Sequence, residues 1–272
     1  MSGPRVEGRG ARALRLPLSL VARLWLAALL IGIWQLVADD GPGSYFPPPS
    51  VIVRALHRVW FSGPASDLFL TEQARADFPV SFGHLLSGWA IAAVAGIALG
   101  LLLGRSQRAY DYTQPLVQLC RSVPPPALIP FFVVVFQLNT SMYVVTIAFG
   151  AVWPVLLNTL AGVRAVDPVL LDSARVHGVG RAERLWRVVL PSAAPQIAAG
   201  LRIALGFGLI LMVLSELVGT TSGIGARLVN AQRTFDIPSM WAGIALLGLT
   251  GWLLNAAFLL VENRLLRWHR EN

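Results

Sequence analysis

The chain has 272 residues, of which 55% are hydrophobic and only 13% charged, and its mean hydropathy is +0.63. Water-soluble domains carry about 25% charged residues, so this composition excludes an ordinary soluble enzyme and points to a membrane protein. The net charge of +8 comes from 22 basic residues, all of them Arg, which gather between apolar runs rather than on one soluble face and so argue against nucleic-acid binding.

The first eighteen or so residues are rich in Arg and Gly without apolar periodicity, a composition expected to stay disordered. A membrane-crossing helix needs about twenty mostly apolar residues. Six candidate spans follow: Leu20–Ala38, Val80–Gly104, Pro115–Gln137, Met142–Val163, Ile197–Val218 and Met240–Val261. The first resembles a signal peptide in its basic start, but no small-x-small cleavage site follows, so it reads as an uncleaved anchor. The chain thus divides into an Arg-rich tail (1–19), a first span with an outer segment (20–79), a core (80–263) that includes a charged loop (164–191), and a short tail (264–272). With six spans, Arg5, Arg9, Arg12, Arg15, Arg105, Arg108, Arg164, Arg264, Arg267 and Arg270 share one side with that loop. The positive-inside rule makes that side, and both termini, cytoplasmic. The segment Leu68–Phe78 is expected in the outer loop, either contacting a partner or as a tolerated insertion.

The second span carries Gly88, Ala92, Gly96, Gly100 and Gly104 at intervals of four, and the fifth carries Gly200, Ala204 and Gly208. In lipid such stripes serve close helix packing. The third is interrupted by Pro124, Pro125, Pro126 and Pro130. Only Ala127–Gln137 remains after the triple proline, about 16 Å of helix, so the span must be broken. Broken backbone at membrane depth belongs beside a water-filled path or inside a protein-covered kink. Glu216 lies toward the outer end of the fifth span, where it either lines a cavity or gate or reaches the interface. Arg23 and Arg202 lie near cytoplasmic ends and can snorkel. The spans show no paired acids of the kind a proton relay needs. The sole cysteine, Cys120, excludes an intrachain disulfide, and the four histidines show no metal-ligand spacing. No resident cofactor is expected.

The loop 164–191 is unlike its surroundings. Asp167-Pro168 predicts a helix start, Gly178 a left-handed terminator, and Arg181 the start of a second short helix supported by a Glu183–Arg187 pair. Leu190-Pro191 is expected to close that helix before the fifth span. Two short helices around a glycine elbow suit docking onto a soluble partner, or an interfacial loop held by anionic lipid.

The spacing D-S-A-x3-G-x9-V-x-L-P, carried by Asp172, Ser173, Ala174, Gly178, Val188, Leu190 and Pro191, resembles the EAA loop of binding-protein-dependent ABC importer permeases. Asp for Glu, Ser for Ala and Val for Ile are departures that keep size or charge approximately. "FPPPSVIVRAL", "RSVPPPALIPFFVVVF" and "SELVGTTSGIG" are similar to stretches of the nitrate/sulfonate/taurine/bicarbonate branch, extending the resemblance over residues 46–268. The resemblance implies an all-α, six-span MetI-like fold in the bacterial inner membrane. It implies that the loop, with Arg181, couples to separate ABC ATPase subunits that hold ATP and Mg, consistent with the lack of a G-x4-G-K-[ST] phosphate loop here. It further implies a periplasmic solute-binding protein and a second permease copy. Pro124, Pro126, Pro130, Glu216, Gly223 and Gly225 are its candidates for the translocation path or gate. An ion-gradient-driven secondary transporter is the alternative function.

Overall fold

The computed structural model describes residues 25–38, 41, 44–219 and 222–266. The Arg-rich tail, Arg23 and the last six residues therefore lie outside the described residues. Every regular element among the described residues is helical.

Four long helices form the body. Helix α3 (Glu72–Gly104) begins at Thr71, whose hydroxyl accepts the Ala74 amide. Helix α6 (Thr140–Arg164) is capped by Asn139, which accepts the Ser141 and Met142 amides. Helix α9 (Leu190–Glu216) continues the short α8 (Arg181–Arg184), and α11 (Ile237–Leu265) is capped by Asp236. All four are long and apolar enough to cross a membrane. A fifth crossing is available if α4 (Gln107–Ser122) and α5 (Ile129–Phe136) are joined, although the pair is bent by 76°. The break falls at Pro124, as the proline run requires, and a 3-10 turn over Pro125–Leu128 bridges it. The first expected span is represented by α1 (Trp25–Val37), roughly 20 Å long and short of a crossing within the described residues.

Helix α6 is the centre, with α3 on one side and α9 on the other. The glycine stripe of α3 explains the first contact. A Cβ on Gly88, Gly96 or Gly100 would fall 2.6, 2.7 or 2.6 Å from the Cβ of Ile147, Val155 or Thr159, and one on Gly104 would fall 2.7 Å from Val163 Cγ1. The partners on α6 recur at the same interval of four, so two complementary ridges are in register along the whole contact. The α9 stripe meets the other face of α6, where a Cβ on Gly200 would lie 2.8 Å from Asn158 Cβ. Ala92, Ala151, Val155 and Ala204 are buried together where the three helices meet.

Two sequence expectations are corrected here. Residues 72–79 are not loop: α3 starts eight residues before Val80, running through Pro79, so the outer connection is short. Leu190-Pro191 does not end a helix either. The segment Arg181–Glu216 is continuous over 36 residues because Leu185–Val189 forms a π turn, in which the Leu190 amide donates to Leu185 O. The wider turn shifts the hydrogen-bond register and accommodates the proline ring that would otherwise clash with the preceding turn.

One end of the bundle is covered by α2 (Pro49–Trp60) and α10 (Ile224–Arg233). Trp60, Ala74, Ile224 and Leu246 bring α2, α3, α10 and α11 into one cluster, and Trp60 stacks on Phe78 with ring centroids 5.4 Å apart. Helix α1 attaches to this end through Gln35, which donates to Ser50 Oγ and accepts the Ser50 amide. Helix α7 (Pro168–Val176) and α8 cover the opposite end.

Candidate functional site

At the α10 end, Asp77, Ser81, His84 and Glu216 are buried, four of the eight buried polar side chains among the described residues. Asp77, Ser81 and His84 lie on one face of α3 at intervals of four and three. Glu216 ends α9. Between them sits the start of α10, whose first amides have no partner within the helix. Three of them find one here. The Gly223 amide donates to Asp77 Oδ1 (2.8 Å), Ile224 to Ser81 Oγ (2.9 Å), and Gly225 to Glu216 Oε2 (3.0 Å). Ser81 in turn donates to Glu216 Oε2 (2.9 Å), and His84 Nδ1 faces Glu216 Oε1 at 3.3 Å. An ionised carboxylate only accepts, so this contact requires the hydrogen on Nδ1. The His84 ring is stacked on Tyr143, 4.6 Å between centroids, and Arg227 Nε donates to Asp77 Oδ2 at 2.5 Å.

This arrangement explains the two glycines. Gly223 has φ +110°, and a Cβ there would sit 2.7 Å from Glu216 Oε2; a Cβ on Gly225 would meet Glu216 Cβ at 2.6 Å. The Glu216 carboxylate is thus enclosed by backbone that only glycine permits. The structure places Glu216, Gly223 and Gly225 in one network, and Glu216 is 1% exposed rather than reaching the interface. The sequence reading missed Asp77, Ser81 and His84. Its available signal was their phase: they continue the face that carries Gly88, Ala92 and Gly96. Beside the network, Glu216, Arg227, Asn230 and Arg233 line a cavity of about 510 Å³. Arg202 approaches Glu262 at 3.7 Å.

The helix break forms a second candidate. Pro124, Pro126 and Pro130 are exposed, whereas Pro125 packs against α6, 3.2 Å from where a Gly150 Cβ would lie. A cavity of about 270 Å³ lies there, lined by Arg121, Pro125, Trp153 and Phe207 among others. The Trp153 indole N–H is buried with no acceptor among the described residues.

At the opposite end, the loop folds as its local chemistry dictates. Asp167 accepts the Val169 amide at 2.8 Å, and Gly178 takes φ +75°. Gly178 N donates to Arg175 O and Val179 N to Ala174 O, both at 3.0 Å, which satisfies the last carbonyls of α7. Asp172 is exposed and pairs with Arg175, and Ser173 O accepts the His177 amide. Glu183 and Arg187 make their pair at 3.2 Å on the surface. The loop has two apolar faces. Leu171, Leu185, Val188 and Leu190 pack inward on Val163, Val166, Val189, Ala193 and Ile197. Val169, Leu170 and Val176 point outward and are 71, 51 and 85% exposed. Arg181 lines a cavity between the loop and the ends of α3 and α6.

A four-to-five-span helical bundle with this loop is a transporter membrane component, and residues 78–270 match the family described as binding-protein-dependent transport system inner membrane component. The chain belongs to that family. It is 32% identical over 247 residues to SsuC of Bacillus subtilis, named for aliphatic sulfonates transport, covering 90% of this chain and 86% of SsuC. It is 31% identical over 261 residues to the taurine transport system permease protein TauC of Escherichia coli, covering 94% of each. It is 30% identical over 239 residues to the nitrate import permease protein NrtB of Leptolyngbya laminosa, covering 87% and 84%. Among solved structures, the MetNI methionine ABC transporter aligns with TM-score 0.59 at 18% identity, over 69% of this chain and 92% of that one. A bacterial ABC transporter involved in alginate import aligns with TM-score 0.56 at 19% identity, over 93% and 98%. The MetI-like fold is thereby established. The chain is a transport component rather than an enzyme, and membership implies ATPase and binding-protein partners.

Proposed function

We propose that this chain is the permease of an importer that carries a small oxyanion, of the sulfonate, taurine or nitrate kind, from periplasm to cytoplasm. Two copies pair across the membrane with both termini cytoplasmic. The loop 164–191 faces the cytoplasm and seats on an ATPase subunit, which holds ATP and Mg. The observation that carries this reading is the exposed apolar face of α7. Val169, Leu170 and Val176 form a patch on a helix whose other face is fixed to the bundle, the form expected of an element that fits a partner's groove. Because the inward face is packed on α6 and α9, a displacement of α7 moves those spans with it. The α10 end then faces the periplasm and the binding protein. Leu68 and Phe69, both exposed and in left-handed backbone, project from that side as a contact.

The charge along the bundle supports an anionic solute. Arg227 and Arg233 line the periplasmic cavity, and Arg121 with the unpaired Trp153 N–H lines the one at the helix break. A substituted anion such as a sulfonate offers oxygens for these donors. The buried acids give an ion-driven transporter one point in its favour, but Asp77 and Glu216 are already occupied by the α10 amides and Arg227. The test is reconstitution of the permease with its ATPase and binding protein in proteoliposomes. ATP-dependent accumulation of taurine, an alkanesulfonate or nitrate is expected. Uptake that follows an imposed ion gradient and ignores ATP would overturn the proposal.

A further inference from the structure

The cavity behind the coupling loop gathers five arginine side chains. It measures about 660 Å³ and is lined by Arg105, Arg164, Arg175, Arg181 and Arg184. Two of these guanidiniums are engaged. Arg164 donates to Gln107 and lies over the Tyr110 ring, and Arg175 pairs with Asp172. Arg105, Arg181 and Arg184 make no side-chain hydrogen bond or ion pair among the described residues. They come from three places: the end of α3 and both ends of α8. Five like charges converging on one space repel one another, and no carboxylate lines the cavity to offset them. The arrangement calls for a multivalent anion.

The surroundings say what kind. Leu102 lines the cavity and is 65% exposed. From it, Ala98, Val94 and Ile91 continue along the same exposed face of α3, away from the cavity and toward the middle of the span. An apolar track that ends at a cluster of unpaired guanidiniums matches an amphiphile with an anionic head, not a soluble ion. Trp186, exposed beside the cavity's Leu185, is of the residue type that settles at headgroup depth.

We infer that this cavity binds the phosphate of an anionic phospholipid of the cytoplasmic leaflet, with Arg105, Arg181 and Arg184 as its ligands and the acyl chains lying along α3. Basic pockets between helix ends on the cytoplasmic side suit such headgroups, and the planar guanidinium favours phosphate oxygens. The lipid would bridge the end of α3 to α8 and so fix the loop from behind, while the outward face of α7 stays free for the ATPase. The side of the membrane rests on the orientation proposed above; the binding itself does not.

The test uses the full chain, purified in mild detergent, and native mass spectrometry with added phosphatidylglycerol, phosphatidylcholine or inorganic phosphate. Phosphatidylglycerol is expected to bind and phosphatidylcholine not. The triple variant R105Q/R181Q/R184Q should bind it about 100-fold more weakly, and R105Q alone, which leaves the loop sequence intact, about 5-fold more weakly. R105K should retain most of the affinity, which a merely misfolded variant would not. Equal retention of phosphatidylglycerol by the triple variant overturns the inference. Displacement of the lipid by millimolar phosphate also overturns it, in favour of a soluble-anion site. So does loss of the lipid when the ATPase is bound, which would make the cavity part of the protein interface. None of these readings requires transport, so a failure here is separable from a failure of the importer assignment.

Discussion

The two ends of α3 solve opposite problems with the same residue types. At its start, Asp77 is buried and accepts the Gly223 amide on one oxygen and Arg227 Nε on the other. At its end, Arg105 joins a basic cavity in which three guanidiniums have no side-chain partner among the described residues. Buried charge that is fully paired costs much to rearrange, whereas exposed charge without a partner can take up and release one. The difference teaches where the molecule is fixed and where it is adaptable: the buried network locks α10 onto α3 and α9, and the loop 164–191 at the opposite end remains available to external ligands.

The strongest way to break this contrast is to unpair the buried network. Asp77→Ala leaves Arg227 and the Gly223 amide without an acceptor, and Glu216→Ala strands Ser81, His84 and the Gly225 amide. Each should cost about 3–5 kcal/mol, read as a drop in the thermal midpoint of the purified protein. The double variant should fall well short of the sum, because both remove anchors of the same helix start. Next in size is the ridge between the ends. Gly96→Leu drives a side chain into Val155 and should destabilise by about 1–3 kcal/mol or prevent assembly of α3 on α6, whereas Gly83→Ala, with open space around it, should be silent.

At the loop the effects shrink. Gly178→Ala meets no atoms within 4 Å, so its cost is confined to the left-handed backbone, about 1 kcal/mol. Gly180→Ala has the same open surroundings without the positive φ and should be neutral, so the pair isolates the elbow conformation in a melting experiment. Smallest of all, Arg187→Ala removes a pair whose members are 77 and 48% exposed, and a change within about 0.5 kcal/mol is expected by the same assay.

How far the sequence could be read follows from the range of each interaction. The Gly178 elbow, the Asp167 cap and the proline break are decided within a few residues, and all three were legible. The glycine stripe on α3 was legible as a packing face, although its partner on α6 was not. The polar network was not legible, because all its bonds but the Gly225–Glu216 one join residues 132 to 150 positions apart, as from His84 to Glu216 and from Asp77 to Arg227. Asp77 reads as a loop acid because the apolar run that marks the second span begins only at Val80. Pro191 misled as well, since a π turn can carry a helix through a proline that local rules would make an end.

The central claim is that the outward face of α7 is the seat of the ATPase, and cross-linking tests it most directly. Cys120 is the only cysteine, so a Cys120→Ser background leaves the chain free of thiols. In that background, Val176→Cys probes the exposed face and Leu171→Cys the face packed on the bundle. With the introduced cysteine labelled by a photoactivatable thiol reagent and the copurified ATPase bound, irradiation should cross-link position 176 to the ATPase efficiently and position 171 not. Cross-linking from neither position in an assembled complex, or equally from both, would contradict the account.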